Sequence, residues 1–271
     1  MPEITSFEPG APVGVELSSP NVEASKRFYR GLFGWGSYII ADRRLGDHTL
    51  FTHDASSALD VAGLVALADD SSAPFWTCFF GLDDLVAAMA ATREAGGYVH
   101  LEPTPVVNMG RMVLADDDQG AGIGFWQAYT HPGAGMLGDP NSMCWMELVC
   151  RDVAAAGRFY GRVLGWNEPV EFEGVTGSPS YLWRKDGRSV ASVVRTDLPD
   201  GVPAQWIPYF AVADCDATAA EAVRQGGSVT GPCTETSHGR YVRLQDPTAA
   251  PLVIIQRHPD QHSVIGWTAE S

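Results

Sequence analysis

The chain has 271 residues, 45% of them hydrophobic and 19% charged, which is enough for two ordinary domains with packed cores. Its formal net charge of −15 argues against nucleic-acid and anionic-membrane partners, and it either favours cationic small molecules or serves solubility alone. The five cysteines contain no C-x-x-C pair, which argues against a disulfide framework or zinc knuckle and predicts a cytoplasmic location.

No targeting or membrane-spanning segment is expected. Residues 1–10 contain acids and prolines without a basic start or an apolar run. No stretch approaches the roughly 20 apolar residues of a membrane span, so a membrane is not an expected partner.

The first predicted elements are a strand and a helix. Residues 13–17 alternate at period two, as in a strand with one buried face. Asn21 then offers a side-chain oxygen to the free N–H groups of a helix, and Gly34 ends that helix. Three short strands follow, at 37–41, around 49–53 and at 62–66.

The same order of elements then starts again. A strand at 75–80 precedes a helix that runs from Asp84 to Ala95, and further strands lead to Gln127. A stretch rich in glycine and proline predicts an interdomain linker. The predicted organisation is an N-terminal domain at 1–130, the linker at 131–141, a C-terminal domain at 142–258 and a tail at 259–271.

An internal duplication underlies this organisation. Residues 21–35 return at 152–166 with seven of fifteen positions identical, including Arg-Phe-Tyr and the closing Gly-Trp. Further along, Gly239-Arg240 answers Gly110-Arg111. The repeat therefore covers most of residues 12–257 and predicts two domains of the same plan.

These features resemble the vicinal oxygen chelate superfamily, which includes glyoxalase I, extradiol dioxygenases, fosfomycin-resistance enzymes and bleomycin-binding proteins. The Phe-Tyr-x-x-x-(Leu/Phe)-Gly-Trp endings and the Trp-x-Glu-Leu strand at 145–148 resemble its tandem, two-domain actinobacterial glyoxalase-like branch. The resemblance covers about nine-tenths of the chain and implies an α+β fold. Each of the tandem domains is expected to contain two βαβββ modules that form a curved mixed sheet around a cleft. Function stays open, because this fold hosts enzymes and pure binders alike.

The resemblance also implies where metal ligands belong, because the superfamily's enzymes hold a divalent metal at fixed distances from the helix-opening and turn residues. Those positions are Gly14, Thr77, Gly124, Trp145, Ile207 and Val253. Only threonine among them offers an oxygen, and it is a weak ligand, while neighbours one residue away form no His/Glu cluster. No metal and no other cofactor is therefore expected.

Strand alternation predicts which side chains face the two clefts. Glu16 and Glu147 supply one carboxylate to each cleft, either as ligand anchors or bases, or as structural groups bonded to protein. The other predicted ligand-binding residues on these strands are aromatic: Phe75, Phe79, Trp126, Trp145 and Tyr209. Because Trp145 stands where the first domain has Gly14, one cavity is expected to be filled and the Gly14 cavity open.

Histidine supplies one further candidate. His238 precedes Gly239-Arg240 in a predicted loop near a cavity mouth, and it is either a ligand contact or an ordinary surface histidine. His48 and His53 have no carboxylate partner at ligand spacing, so no site is assigned to them.

The sequence favours a metal-free binding protein over an enzyme. The expected partner is a small hydrophobic or aromatic natural product, with a cationic one favoured by the charge, that the protein sequesters or chaperones in antibiotic biosynthesis or self-resistance. The chain would act as a monomer, which is a pseudo-dimer of its repeats, or as a homodimer. One alternative is a metal-independent cyclase, isomerase or hydroxylation accessory that uses a cleft glutamate as base. Another is a glyoxalase-like enzyme whose metal site lies elsewhere in the chain.

Overall fold

The computed structural model describes residues 4–42, 44–67, 73–172 and 180–258; the predicted tail at 259–271 lies outside them. The helices are α1 (Val22–Phe33), α2 (Leu85–Glu94), α3 (Val153–Leu164) and α4 (Cys215–Arg224). The strands of the N-terminal half are β1 (Pro12–Ser19), β2 (Gly36–Asp42), β3 (Gly46–Thr52), β4 (Asp60–Ala66), β5 (Phe75–Gly81), β6 (Tyr98–Val106), β7 (Gly110–Asp116) and β8 (Gly122–Ala128). Those of the C-terminal half are β9 (Met143–Cys150), β10 (Val170–Phe172), β11 (Ser180–Lys185), β12 (Arg188–Arg195), β13 (Gln205–Ala211), β14 (Ser228–Val229), β15 (Thr234–Thr236), β16 (Gly239–Gln245) and β17 (Pro251–Arg257).

The strands form two sheets, one in each domain. The N-terminal sheet has the order β2-β3-β4-β1-β5-β8-β7-β6. The C-terminal sheet has the order β10-β11-β12-β9-β13-β17-β16-β14, with β15 paired to β16. In both sheets the first strand runs parallel to the last strand of its own module and antiparallel to the first strand of the next module. These pairings confirm the predicted α+β architecture of tandem βαβββ modules.

Each helix begins at an acidic or amide cap. The side chains of four residues accept backbone N–H groups of the first helical turn: Asn21, Asp84, Asp152 and Asp214. Helix α1 then buries Phe28, Tyr29, Leu32 and Phe33, the apolar face that helical spacing produces. Among the described residues, no helix is both long and apolar enough to cross a membrane.

One hydrophobic core joins the two domains. It combines buried side chains from the helix-covered faces of both sheets. The ring of Phe33 lies 5.3 Å from that of Phe210, and the ring of Phe80 lies 5.7 Å from that of Trp206. Because this core occupies the helix side of each sheet, the two concave faces point away from it.

Hydrogen bonds across the core use matching positions of the two repeats. Tyr160 OH donates to Asp117 Oδ2 at 2.9 Å, and Ser25 Oγ donates to Asp246 Oδ2 at 3.1 Å. Each aspartate lies in the turn before the last strand of its domain and bonds a helix of the other domain. The domains therefore share polar as well as apolar contacts.

The segment predicted as a linker begins as part of the N-terminal domain. The N–H of Ala134 donates to the carbonyl oxygen of Val13 at 2.7 Å, and the N–H of Gly135 donates to that of Asp60 at 2.8 Å. Ala134 and Leu137 are buried in the common core. Residues from this segment consequently reach the concave face of the N-terminal sheet.

Candidate functional site

An apolar cavity of about 110 Å³ lies on the concave face of the N-terminal sheet. Side chains of both edge strands, Ile40 of β2 and Val106 of β6, line it, so the curved sheet nearly surrounds the space. Arg44 Nη2 donates to the carbonyl oxygen of Pro105 at 3.1 Å and ties the two edges together. The other lining residues are Val13, Gly14, Val15, Glu16, His48, Leu50, Asp60, Val61, Ala62, Gly63, Phe79, Met109, Met112, Trp126, His131, Gly133 and Ala134.

Two glycines make room for the cavity wall. Gly63 of β4 pairs with Glu16 of β1, and a Cβ atom at Gly63 would lie 2.9 Å from Glu16 Oε2. A Cβ atom at Gly124 of β8 would lie 2.4 Å from the ring of Phe79. Both distances are too short for a real contact, so glycine allows Glu16 and Phe79 to lie against the sheet.

A glutamate and a histidine meet on the cavity wall. Glu16 Oε2 lies 3.0 Å from His48 Nδ1, across the strand β4 that separates β1 from β3. Burial lowers the pKa of His48, but the hydrogen bond and charge of Glu16, helped by Asp42 and Asp47, raise it above its ordinary value. Because the carboxylate holds one ring nitrogen, the other nitrogen, Nε2, is the one left for a ligand.

A second pair of an acid and a histidine lies in the same cavity. His131 Nε2 is 2.7 Å from Asp60 Oδ2, and Tyr38 OH donates to the same oxygen at 2.9 Å. Trp126 Nε1 donates to the carbonyl oxygen of His131 at 2.8 Å and holds that backbone in place. Burial and then the charge of Asp60 raise the pKa of Tyr38 well above its usual value, so Tyr38 remains a neutral donor.

Two polar atoms of these pairs remain unpaired. His48 Nε2 and Asp60 Oδ1 are buried and have no hydrogen-bond partner among the described residues. A buried polar atom without a partner costs stability, so such atoms are rare and mark sites with another purpose. The cavity therefore combines an apolar wall with two hydrogen-bonding atoms that a ligand can satisfy.

Three of the predicted site residues, Glu16, Phe79 and Trp126, line this cavity. Phe75 does not line it, because it lies 38% exposed at the start of β5. Phe75 and Phe79 share a strand face, but four residues of strand separate them by roughly 13 Å. The expectation that Phe75 lines the first cavity is therefore wrong.

Sequence reasoning missed His48, Asp60 and His131. The expectation that His48 lacks a carboxylate partner is wrong, because β3, β4 and β1 bring it to Glu16 across the sheet. His131 falls in the segment predicted as a linker. The alternation of β3, which places His48 and Leu50 on one face, was a usable signal for His48.

Protein side chains fill the concave face of the C-terminal sheet. Trp145 is 7% exposed, and its Nε1 donates to Ser192 Oγ at 2.8 Å. Tyr209 OH donates to Glu147 Oε1 at 2.9 Å, and Ser192 Oγ donates to Glu147 Oε2 at 3.2 Å. Burial raises the pKa of Glu147 in spite of these hydrogen bonds and of the nearby charge of Arg243.

The packing around Trp145 agrees with the expectation that one cavity is filled by protein and that the cavity beside Gly14 is open. The side chains packed with Trp145 are Cys144, Leu182, Ile207, Tyr209, Ala211, Tyr241, Val253 and Ile255. A more polar depression of about 390 Å³ passes over Glu147 and Arg243. His238 lies apart from the N-terminal cavity, before β16, with its ring 6.1 Å from that of Phe172.

The positions that the superfamily uses for metal ligands do not form a ligand set here. In the N-terminal domain Gly14 and Gly124 have no side-chain donor, and Thr77 is a weak one. Among the described residues, no three or more His, Cys, Asp or Glu side chains are grouped to hold a metal ion. The donors in the cavity are two separate pairs, so they do not fit the superfamily's divalent metal.

The tandem modules, the repeat and the position of the cavity define the class of protein. Residues 13–125 and 143–251 match the Glyoxalase/Bleomycin resistance protein/Dioxygenase superfamily, and the chain belongs to it. The chain is 34% identical over 264 residues to the anthracycline biosynthesis protein DnrV of Streptomyces peucetius, which covers 93% of this chain and 95% of that protein. It is 30% identical over 266 residues to the putative glyoxylase CFP32 of Mycobacterium bovis, which covers 96% of this chain and 100% of that protein.

Solved structures share the fold. The Mn(II)-bound glyoxalase from Novosphingobium aromaticivorans has a TM-score of 0.65 at 14% identity, covering 97% of this chain and 86% of that one. The 2,3-dioxygenase LapB from a Pseudomonas species has a TM-score of 0.63 at 13% identity, covering 95% of this chain and 96% of that one. At such identities the likeness shows the fold alone.

Proposed function

We propose that this protein binds an aromatic natural product in the N-terminal cavity without a metal ion, as an accessory of antibiotic biosynthesis. The observation that carries the proposal is the contrast between the two concave faces: the N-terminal face has an apolar cavity, whereas Trp145 and its neighbours occupy the matching place on the C-terminal face and leave a more polar depression beside them. Apolar cavities with a few convergent polar groups are the usual form of small-molecule sites.

Relatives support the biosynthetic setting. Two proteins that are 34% identical to the chain are named anthracycline biosynthesis proteins, DnrV and DauV, and each is matched over 95% of its length. Anthracyclines are planar aromatic compounds, and the cavity presents the rings of Phe79 and Trp126 to such a ligand. Sequestration in self-resistance would use the same site.

The size of the cavity limits how much of a ligand it encloses. An apolar cavity of roughly 150 Å³ accepts benzene. The N-terminal cavity of about 110 Å³ therefore encloses at most one six-membered ring, with the rest of a larger ligand outside the mouth. This arrangement fits a protein that binds one end of a polycyclic molecule.

Metal-independent catalysis is the second candidate, and the pairing of Glu16 with His48 favours it. Glu16 Oε2 is occupied by His48 Nδ1, so the base in contact with substrate would be His48 Nε2, and Glu16 would position it. A Glu16→Gln variant is expected to bind ligand but to lose turnover if this candidate is right. Equal turnover by the variant and the natural protein excludes that role.

Binding is tested by filling the cavity with the side chain that fills the other face. The nearest atom to a Cβ at Gly14 is the Ala134 nitrogen at 3.9 Å, so larger side chains can enter the cavity from this position. Calorimetric titration with anthraquinone, the parent ring system of the anthracyclines, is expected to show saturable binding to the natural protein and to Gly14→Ala. No binding is expected for Gly14→Trp. A folded Gly14→Trp protein that binds as tightly as Gly14→Ala places the site elsewhere.

The location and assembly follow as part of the same proposal. All five cysteines are free, as in a reducing cytoplasm. The two repeats share one core, so a single chain already forms a pseudo-dimer, and the described residues that line the cavity all belong to its N-terminal half. We therefore propose a cytoplasmic protein that binds its ligand as one chain.

A further inference from the structure

We propose that the N-terminal cavity is specific for an organic ammonium ion, which Asp60 Oδ1 holds against the apolar and aromatic wall. This inference rests on the proposed function, and it specifies that the part of the ligand bound in the cavity is positively charged. A primary or secondary amine carried on a six-membered ring is the chemical class that fits.

The charges that line the cavity are acidic. Glu16 and Asp60 supply two carboxylates, and the described lining residues include no lysine or arginine. His48 and His131 are the only basic side chains among the described residues that line the cavity. Because the surrounding wall is apolar, the interaction of a ligand cation with these carboxylates is stronger than it would be in water. The cavity therefore attracts cations and rejects anions.

The unpaired oxygen of Asp60 gives the cation a defined place. Asp60 is only 8% exposed, and its Oδ2 accepts from Tyr38 OH and pairs with His131 Nε2. Its Oδ1 has no hydrogen-bond partner among the described residues. An ammonium group carries up to three donors and a full positive charge, so it satisfies this oxygen with a charge-assisted hydrogen bond.

The remaining surface of the cavity suits the ring that carries the amine. Phe79 and Trp126 present aromatic rings to the same space, and such rings attract cations as well as apolar groups. His48 Nε2, the second unpaired atom, is available to a hydroxyl or carbonyl on that ring. The volume of about 110 Å³ limits the enclosed group to one ring.

Acid is expected to release the cation. Protonation of His48, whose pKa the carboxylate of Glu16 raises, adds positive charge beside the two carboxylates, and this charge competes with the ligand. An alkylammonium ion keeps its proton until about pH 10, so a change of affinity below pH 8 reports on the protein. The titratable groups that act on His48 are Glu16, Asp42 and Asp47, and Asp60 and His131 line the same cavity.

The experiment compares two probes of the same shape, benzylamine and benzyl alcohol, by calorimetric titration at pH 8. Benzylamine is expected to bind roughly tenfold tighter or more, the ratio that one charge-assisted hydrogen bond provides. Asp60→Asn is expected to remove this preference and to leave the affinity for benzyl alcohol unchanged. Asp54→Asn removes the same charge from an exposed aspartate outside the cavity, and it is expected to keep the preference.

Each outcome bears on the ammonium site. Equal affinity for the two probes overturns it and leaves the proposed function standing, and binding of anthraquinone without either probe does the same. Failure of anthraquinone and both probes overturns both proposals. Loss of both probes in a folded Asp60→Asn protein assigns Asp60 a structural role and overturns the site.

The natural protein provides a test that does not depend on a variant that folds. Benzylamine affinity is expected to fall about tenfold or more from pH 8 to pH 5, because protonation of His48 adds a positive charge to the wall of the cavity. Benzyl alcohol is expected to keep its affinity over that range. A flat benzylamine profile overturns the competition between ligand and protons that the site requires.

Discussion

The two concave faces have the same modules and the same strand pairings, yet the N-terminal face keeps an apolar cavity where Trp145 and its neighbours pack on the C-terminal face. In the N-terminal sheet Gly14 and Gly63 line the cavity, and Gly124 lies against the ring of the lining residue Phe79. Matching registers in the C-terminal sheet hold Trp145, Ser192 and Val253. The difference shows that a few side chains, and not the backbone architecture, decide which half of a duplicated fold keeps a cavity.

The two glutamates differ in the same way. Both oxygens of Glu147 accept hydroxyl groups of its own sheet, from Tyr209 and Ser192. Glu16 is held by His48, which lines the cavity and whose second nitrogen is buried without a partner among the described residues. Glu147 therefore fits the structural alternative considered from the sequence, whereas for Glu16, which is bonded to His48 on the cavity wall, ligand anchoring stays a prediction.

The largest effect is expected from emptying the filled face. Trp145→Ala removes a buried ring and the hydrogen bond to Ser192, and it is expected to lower the free energy of unfolding by about 3–5 kcal/mol. Denaturant unfolding measures this loss. Gly14→Ala, at the matching position in open space, is expected to change stability by less than about 0.5 kcal/mol. A loss below about 1 kcal/mol for Trp145→Ala would contradict a filled C-terminal face.

The comparison extends to the helix side of the sheets, where Tyr29 and Tyr160 occupy matching positions of the two repeats. Tyr160 OH donates to Asp117 and accepts from Trp206 Nε1 at 2.9 Å, whereas Tyr29 OH makes no hydrogen bond of normal geometry among the described residues. Tyr160→Phe is expected to cost about 1–3 kcal/mol, because it leaves two buried groups unpaired. Tyr29→Phe is expected to cost less than about 1 kcal/mol. Thermal unfolding measures both, and equal losses would show that the two halves of the interface are alike.

A pH dependence is expected from Glu147. Burial raises its pKa above 4.5, so the folded state binds the proton more tightly than the unfolded chain does. The natural protein should therefore lose stability, on the order of 1 kcal/mol or more, as the pH rises from about 4.5 through the raised pKa. Glu147→Gln keeps the acceptor for Tyr209 and should lack this slope. Parallel profiles of unfolding free energy against pH for the two proteins would rule out a raised pKa.

The smallest effect is expected at Glu16, and it too is a loss of stability as the pH rises. Glu16 helps to raise the pKa of His48, so the stability from this pair is present below the ordinary histidine value and is lost as the pH rises through the raised pKa. Glu16→Gln should therefore cost about 1 kcal/mol near pH 6 and less near pH 9. Denaturant unfolding at the two pH values measures the difference. A cost that grows with pH would be inconsistent with a charged pair.

The duplication and the resemblance to the superfamily predicted the fold, and strand alternation predicted part of the cavity. The sequence predicted three cavity residues, Glu16, Phe79 and Trp126, because alternation within one strand determines which side chains share a face. The meeting of His48 with Glu16 depends on the register of three strands, which no single strand reveals. His131 belongs to a loop, and loops have no periodicity to interpret.

The common core has a consequence for how ligand binding is detected. Both domains contribute to one set of packed rings and to reciprocal hydrogen bonds, so the chain is expected to unfold as one cooperative unit. A ligand at about one hundred times its dissociation constant then adds about 2.7 kcal/mol to the stability of the entire chain. Amide hydrogens in β9 and β13, on the far side of the core from the cavity, should exchange more slowly when the N-terminal cavity is occupied.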